Sequence, residues 1–452
     1  MEQDASMDPQ ALARRFPSHF VWGVATSAFQ IEGATHEDGR ADSIWDVFCR
    51  QPGAIADASN ADLACDHYHR WQGDLDLVQQ LGVSDYRFSV SWPRVQPLGH
   101  GAWNPKGFDF YDRLVDGLLQ RGLAPNLTLN HWDLPQGLQE RGGWASRDTV
   151  HRFVDYAAEV ARRLGSRLRT LTTHNEPFVQ AVLGHESGIF APGIRQRGMA
   201  IQVAHHLLLS HGLALRALRA QGLECDLGIV LNLSPVQSAS DDEVDRARAR
   251  LEDGRLVRWF MDPLFRGCYP DDVLHELGAD APRVEQGDLG IIATPNDFLG
   301  VNYYSRSVFG AAGAVDPRQL SGQITDMGWE IYPRGLTELL CRLHRDYTLP
   351  DVYVTENGAA FPDQLVDGRV QDAARTRYIA RHIEATADAL AAGVPLKGYM
   401  VWSLLDNFEW ASGLAKRFGI VHVDYATQRR TPKASAKWYR DFLLAMRASA
   451  AA

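Results

Sequence analysis

Eight short apolar runs, set apart by longer stretches of helical period, constrain this chain more than any other feature. They fall at residues 20–26, 85–90, 124–130, 169–176, 226–233, 297–304, 351–357 and 396–406. Their character is nearly continuous rather than strictly alternating, as in strands covered on both faces, which is the condition of a parallel sheet. Between them, residues 108–122 set Phe110, Leu114, Val115, Leu118 and Leu119 on one helical face, with Gly122 as the stop. Residues 147–165, 200–222, 334–347 and 433–449 behave alike. Strands alternating with helices in this way predict the α/β class and a single (β/α)8 TIM barrel. A chain of 452 residues is long for one domain, but barrels of this kind routinely are. The pattern places the catalytic domain at 16–448, with 1–15 as an N-terminal extension and 449–452 as a C-terminal tail. The charged run 241–255 reads as a solvated helix face.

Composition narrows the function classes. A net charge of −10 speaks against nucleic acid as a partner. No run approaches the roughly 18 apolar residues of a membrane span, and the first 16 residues lack the apolar core of a signal peptide. Five scattered cysteines without C-x-x-C spacing read as reduced thiols. Together these features predict a cytoplasmic protein. No glycine-rich nucleotide signature occurs, so no cofactor is expected. Cys65, His67 and His69 in "CDHYH" alternate as metal ligands can, but no further ligand cluster accompanies them, and helix packing explains them better. His205 and His206 lie in a helical pattern and read as buried packing.

Polar residues gather at the C-terminal ends of the strands, where a barrel enzyme builds its site. There stand Gln30, Arg87, Asn130, His131, Trp132, Asn175, Glu176, Asn232, Asn302, Tyr303, Tyr304, Glu356, Asn357 and Trp402, and the opposite ends show no comparable set. Two of the runs finish on a carboxylate: "TLTTHNEP" on Glu176 and "VYVTENG" on Glu356. Either motif alone has an ordinary reading. Pro177 biases Glu176 toward an extended conformation in any loop, and Gly358 can supply a positive φ at a strand-to-turn junction. Both together, on strands 4 and 7 of a barrel, place two carboxyls across one mouth. Glycoside hydrolysis needs such a pair, one to protonate the leaving oxygen and one to attack the anomeric carbon or activate water. Neighbouring indole and amide groups suit the faces and hydroxyls of a sugar. His174 reads as a satisfied interior histidine rather than a reacting group.

The ordered motifs "FVWGVATSAFQIEGA", "YRFSVSWPRV", "NHWDLPQGL", "NEP", "GVNYYS", "TENG" and "VWSLLDNFEWASGLAKRFGIVHVD" resemble those of glycoside hydrolase family 1 β-glucosidases, from about Phe16 to Tyr439. The resemblance implies a retaining, two-step mechanism with Glu176 as acid/base and Glu356 as nucleophile. It makes Arg87, Asn175, Tyr304 and Asn302 their support, with Asn175 also meeting the sugar 2-hydroxyl. It assigns sugar binding to Gln30, His131, Trp132, Trp402, Glu409, Trp410 and Phe418, with Trp402 as the stacking floor and the Trp402–Ser403 peptide cis. Trp329 aligns with the aglycone platform. Phe29 departs from the commoner tyrosine, His174 from an apolar residue and Phe178 from tryptophan; Phe178, Leu183 and His185 are expected to reshape the aglycone channel.

The implied substrates are small β-glucosides such as cellobiose and aryl glucosides, with side activity on β-galactosides and β-fucosides and a place in cellulose degradation. Two rivals remain: a 6-phospho-β-glycosidase and a non-catalytic sugar-binding barrel. A thioglucosidase would lack the acid that Glu176 provides. Against the phosphorylated substrate stands the carboxylate of Glu409 facing O6, with Lys416 and Arg417 expected on the solvated side of their loop. The sequence leaves open the natural aglycone and whether the protein is a monomer or a homo-oligomer.

Overall fold

The structure, a computed structural model, describes residues 8–451. Residues 1–7 of the expected extension and Ala452 of the expected tail lie outside it. The eight runs form eight parallel strands: β1 Val21–Ala25, β2 Asp85–Ser89, β3 Ala124–Asn130, β4 Thr170–Asn175, β5 Asp226–Asn232, β6 Phe298–Asn302, β7 Asp351–Asn357 and β8 Leu396–Trp402. Each pairs with its successor, and β8 pairs with β1, so the sheet closes. Closure leaves no strand edge, and helices cover the outside, which is why both faces of each strand are apolar.

The periodic stretches are covering helices, at Pro105–Gln120, Arg147–Leu164, Arg197–Ala220, Pro333–Asp346 and Ala434–Ala451, and a further covering helix, Ala373–Ala391, was not singled out in the sequence. The last runs through the tail residues as far as Ala451. Within 1–15, Pro9–Ala13 is helical, starts on the Asp8 cap, and buries Leu12 and Ala13. Phe16, Trp22 and Phe442 meet edge to face at 4.7–4.8 Å between the linked pairs, fastening the first and last segments to the barrel. The charged run forms a helix from Glu243 to Asp253 that is solvated along most of its length. Its end is not: Asp253 is buried and accepts from Arg258 at 3.1 Å and Arg342 at 2.7 Å.

Two details differ from the sequence reading. A small polar cluster also occupies the other end of the barrel, where Asp85 accepts from Asn126 at 2.9 Å and faces Arg169 at 3.2 Å. Gly358 does not have a positive φ. Its role is steric: a Cβ there would lie 1.6 Å from the Trp402 carbonyl oxygen, so only glycine lets β7 leave the barrel against β8.

The loop after β8 is held from beneath by a buried ion cluster. Lys433 reaches Asp406 at 2.7 Å and also Asp363. Arg375 bridges Asp363 at 2.9 Å and Asp372 at 2.5 Å, and Arg417 meets Asp406 at 2.7 Å. Arg417 is therefore not on a solvated side as its sequence position suggested. Lys416 is half-buried, donating to the Asp326 carbonyl at 2.7 Å.

Candidate active site

Glu176 immediately follows β4, and its amide donates to the Val230 carbonyl of β5 at 2.9 Å. Its φ is +49°, in the left-handed region, and not the extended conformation that Pro177 favours. Trp132 and Trp410 share this strain, with φ of +77° and +47°. Non-glycine residues at positive φ cost energy and persist where the surroundings over-determine them, which is common at functional sites.

The two carboxyls are joined by an unbroken line of hydrogen bonds. Asn302, at the end of β6, donates to Glu176 at 2.6 Å and to the Asn175 amide oxygen at 3.1 Å. Thr355 donates to the Asn302 amide oxygen at 2.7 Å, which fixes its orientation. Arg87 of β2 donates to Asn175 at 2.6 Å and to Glu356 at 2.5 Å, and the Tyr304 hydroxyl donates to the other Glu356 oxygen at 2.6 Å. Four strands thus contribute to one connected array.

Burial pushes the Glu176 carboxyl well above the ordinary range, and the charge of Glu356 adds to it; the Asn302 bond and Arg87 oppose. Glu409 rises to about 8, first through desolvation and then through Glu356. At neutral pH Glu409 is therefore largely a neutral acid that can donate as well as accept, not the acceptor-only carboxylate its sequence implied. Burial and the nearby Arg87 charge lower His131 well below its usual value, so the imidazole is neutral.

Around the carboxyls, Trp402, His131 and Trp410 form a stacked group, with ring centres 5.9 Å and 6.0 Å from His131. Trp132 packs on Trp410 at 4.5 Å and donates its indole N–H to the Asn175 carbonyl at 2.8 Å. The Trp402–Ser403 peptide is cis, as the resemblance implied. Gln30 stands one layer back. It is fully buried, accepts from Ser27 at 2.6 Å, and donates to Asn407 at 3.1 Å, Phe408 O at 3.0 Å and Glu409 at 3.5 Å.

A cavity of about 410 Å³ opens over this floor, lined by Glu176, Glu356, Tyr304, Trp402, Glu409 and Phe418. Beyond these the wall includes the expected Trp329, Phe178 and Leu183. It also includes Phe190, Leu320 and Met327, from irregular segments, and Val308 and Phe309, from the short strand Ser307–Gly310, none of which stands at the end of a barrel strand where sequence reading looks for a site. His185 does not line it: its ring is buried and its Nδ1 bonds the Gln180 carbonyl at 2.7 Å. His174 is likewise satisfied, by Asn130 at 2.9 Å and Ser210 at 2.8 Å, and stacks on Phe153.

Among the described residues no group of three or more His, Cys, Asp or Glu could hold a metal. His67 instead pairs with Asp74 at 2.8 Å and the Cys65 thiol donates to the Asp406 carbonyl, while His205 bonds Tyr269 and Asp288, and His206 bonds the Trp144 carbonyl. No helix there is long and apolar enough to cross a membrane.

Residues 12–447 match the sequence model of Glycosyl hydrolase family 1. The chain is 47% identical over 440 residues to a beta-glucosidase of Agrobacterium sp. (strain ATCC 21400), with 96% of each covered. It is 43% identical over 459 residues to a bifunctional beta-D-glucosidase/beta-D-fucosidase of Bifidobacterium breve, covering 95% of this chain and 98% of that one. Its fold superimposes on virulence factor SghA from Agrobacterium tumefaciens with a TM-score of 0.95 at 46% identity, covering 97% and 99% of the two chains.

Proposed function

The chain belongs to glycosyl hydrolase family 1, a family of retaining glycosidases, and on that footing we propose how this β-glucosidase divides the work among its residues. The observation that carries the proposal is the hydrogen-bonded line from Glu176 through Asn302, Asn175 and Arg87 to Glu356. It brings a buried carboxyl whose pKa is raised and a carboxyl held by a guanidinium to one mouth, which supports a division into acid and nucleophile.

In the first step a Glu356 oxygen attacks the anomeric carbon while Glu176 gives its proton to the glycosidic oxygen. The aglycone leaves as an alcohol and glucose stays esterified to Glu356. In the second step Glu176, now a carboxylate, takes a proton from water. The water oxygen attacks the same carbon, releases Glu356 and yields glucose with the β configuration restored. Arg87 and Tyr304 hold the nucleophile. The Asn175 amide oxygen is occupied by Arg87 and Asn302, and its Nδ2 meets His131 Nε2 at 3.2 Å, which leaves one N–H for the sugar 2-hydroxyl. Trp402 stacks under the ring, and Gln30, bonded to Glu409, orients that group toward the 4- and 6-hydroxyls. A carboxyl that both donates and accepts can also follow an axial 4-hydroxyl. Side activity on β-galactosides and β-fucosides follows, and the bifunctional relative supports it.

The aglycone end favours apolar groups over a second glucose. Its wall is mostly aromatic and aliphatic, and among its polar members Arg306 and Ser305 are already bonded within the protein. Arg306 gives two donors to Glu330 at 2.7 Å and 3.0 Å and a third to Gln237 at 2.6 Å, and Ser305 donates to the Glu330 carbonyl. A cellobiose leaving sugar would strip its hydroxyls of water with few partners in return, so cellulose degradation is a minor role. Among the described residues a 6-phosphate meets no free cation, since Lys416, Arg417 and Arg306 are already paired. Neutral Glu409 removes the repulsion expected from its charge, so the lack of cations carries that argument. The unpaired cysteines, Cys268 exposed among them, support a reducing cytoplasm.

Comparing kcat/KM for octyl β-glucoside, cellobiose and a 6-phosphorylated aryl glucoside tests this reading. Both octyl glucoside and cellobiose release unactivated alcohols, so their difference reports binding. Octyl glucoside should lead cellobiose by about ten-fold or more, worth about 1.4 kcal/mol at the transition state. Cellobiose in the lead would overturn the aglycone reading, and preference for the phosphorylated sugar would overturn the substrate class.

A further inference from the structure

Trp329 is carried by a short hairpin in which Ile324 bridges to Glu330 and the Thr325 amide donates to the Trp329 carbonyl at 2.9 Å. Its indole packs on Tyr304, whose hydroxyl holds Glu356, and on Phe418, at 5.4 Å and 6.1 Å between ring centres. This hairpin is fastened from the loops that follow three successive barrel strands. After β6, Arg306 forks onto the Glu330 carboxylate at 2.7 Å and 3.0 Å. After β7, the Ala360 carbonyl accepts from the Asp326 amide at 2.9 Å. After β8, Lys416 donates to the Asp326 carbonyl at 2.7 Å and lies 3.1 Å from its carboxylate.

The fork is the fastening whose cost needs a reason. Glu330 is fully buried and Arg306 largely so, its guanidinium also lying 3.9 Å over the Tyr332 ring and donating to Gln237 at 2.6 Å. Burying such a pair carries a desolvation penalty that well-packed apolar side chains avoid, so it is a weak means of gaining stability. What it supplies is geometry, because a guanidinium meets a carboxylate along two fixed directions. Here those directions join the residue next to Trp329 to the residue two beyond Tyr304. The indole is thereby held at a set distance from the group that holds Glu356. Misplacing a substrate-positioning group by about 1 Å costs up to about 10²-fold in rate.

We propose that the Arg306–Glu330 pair is a positioning device that fixes Trp329 and so sets aglycone selectivity, with Lys416 securing the far end of the same hairpin. It bears on the part of the substrate that leaves. Loosening it weakens the hold on a bulky aglycone and keeps the barrel floor under the sugar in place. The effect on selectivity rests on the glucosidase reading; the positioning of Trp329 does not.

Glu330→Gln keeps the size of the side chain but turns one acceptor into a donor that faces the guanidinium. In crystals of this variant the Trp329 ring should be displaced or lose its single position. A ring left in place would overturn the positioning claim, whatever the protein hydrolyses. In kinetics, β-glucosyl fluoride, whose leaving group is too small to reach the indole, should keep its kcat/KM within about two-fold. Octyl β-glucoside should lose about ten-fold or more, chiefly through a rise in KM. In a Trp329→Ala background, Glu330→Gln should cost octyl β-glucoside nothing further, since it acts through the missing indole. Equal losses on both substrates, or full additivity with Trp329→Ala, would overturn the role in selectivity. Should Glu330→Gln fold poorly, Lys416→Met, at a partly exposed pair, should give the same split in smaller form, and no split would refute the device. A wild type that cleaves neither substrate would contradict the glucosidase reading and leave the crystals to decide the positioning.

Discussion

At the scale of single residues, the fold controls the protonation of the carboxyls at the barrel mouth. Glu176 is held protonated chiefly by burial, so deprotonating it as pH rises through its raised pKa removes the acid and forms the alkaline limb of kcat/KM. Glu176→Gln should slow substrates with poor leaving groups by about 10²–10⁴-fold, spare the first step with activated aryl glucosides, and erase that limb. Equal losses on both substrate kinds would contradict the assignment.

Glu409 offers a test through stability. Its folded pKa is raised to about 8, whereas an unfolded glutamate ionises near 4.3. Between those values the native state binds more protons than the unfolded chain, so Glu409 stabilises fully below about pH 4.3 and less and less as pH climbs through 8. The difference in Tm, wild type minus Glu409→Gln, should therefore fall between pH 5 and pH 8. A constant or rising difference would show that Glu409 is not held neutral.

The two carboxyls proposed to act were legible as candidates because each stands where a strand should have ended on something apolar. The left-handed φ of Glu176 was not, since Pro177 argues locally for the opposite. Nor was the neutral state of Glu409, which depends on burial created by distant segments. His185 misled because it lies close to Leu183 in sequence, and on the intervening winding the two side chains face different surroundings.

At the scale of elements, all eight strands were readable to within a few residues, since a closed, doubly covered sheet imposes its apolar runs directly. Ends were harder. β6 stops at Asn302 and β8 at Trp402, where site residues take over positions that still read as apolar. The ion cluster beneath the β8 loop had no sequence signal, because Asp363, Asp372, Arg375, Asp406 and Lys433 come from segments far apart along the chain. Its importance is testable. Lys433 is fully buried, and Lys433→Met would leave Asp406 and Asp363 short of a counter-charge. Loss of about 3–5 kcal/mol is expected, read as a lower denaturation midpoint at unchanged m-value, with KM raised because the loop carrying Glu409 and Trp410 loosens. A variant as stable as the wild type would show the cluster to be dispensable.

At the scale of the whole molecule, the barrel explains why two glutamates 180 positions apart in sequence meet in one hydrogen-bonded array. Parallel closure aims every strand end at a single mouth, so β4 and β7 deliver Glu176 and Glu356 to the same array, with β2 and β6 supplying Arg87 and Asn302 between them. The channel beyond that mouth was the least legible part, because its walls come from loops whose reach no periodicity encodes. The central claim is that Glu356 bonds covalently to the sugar while Glu176 handles the proton. A 2-deoxy-2-fluoro-β-glucoside with a good leaving group slows release of that intermediate enough to trap it, and mass spectrometry of the digested protein locates it. One fluoroglucosyl group on Glu356 is the predicted result. No adduct, or an adduct on Glu176, would contradict the account.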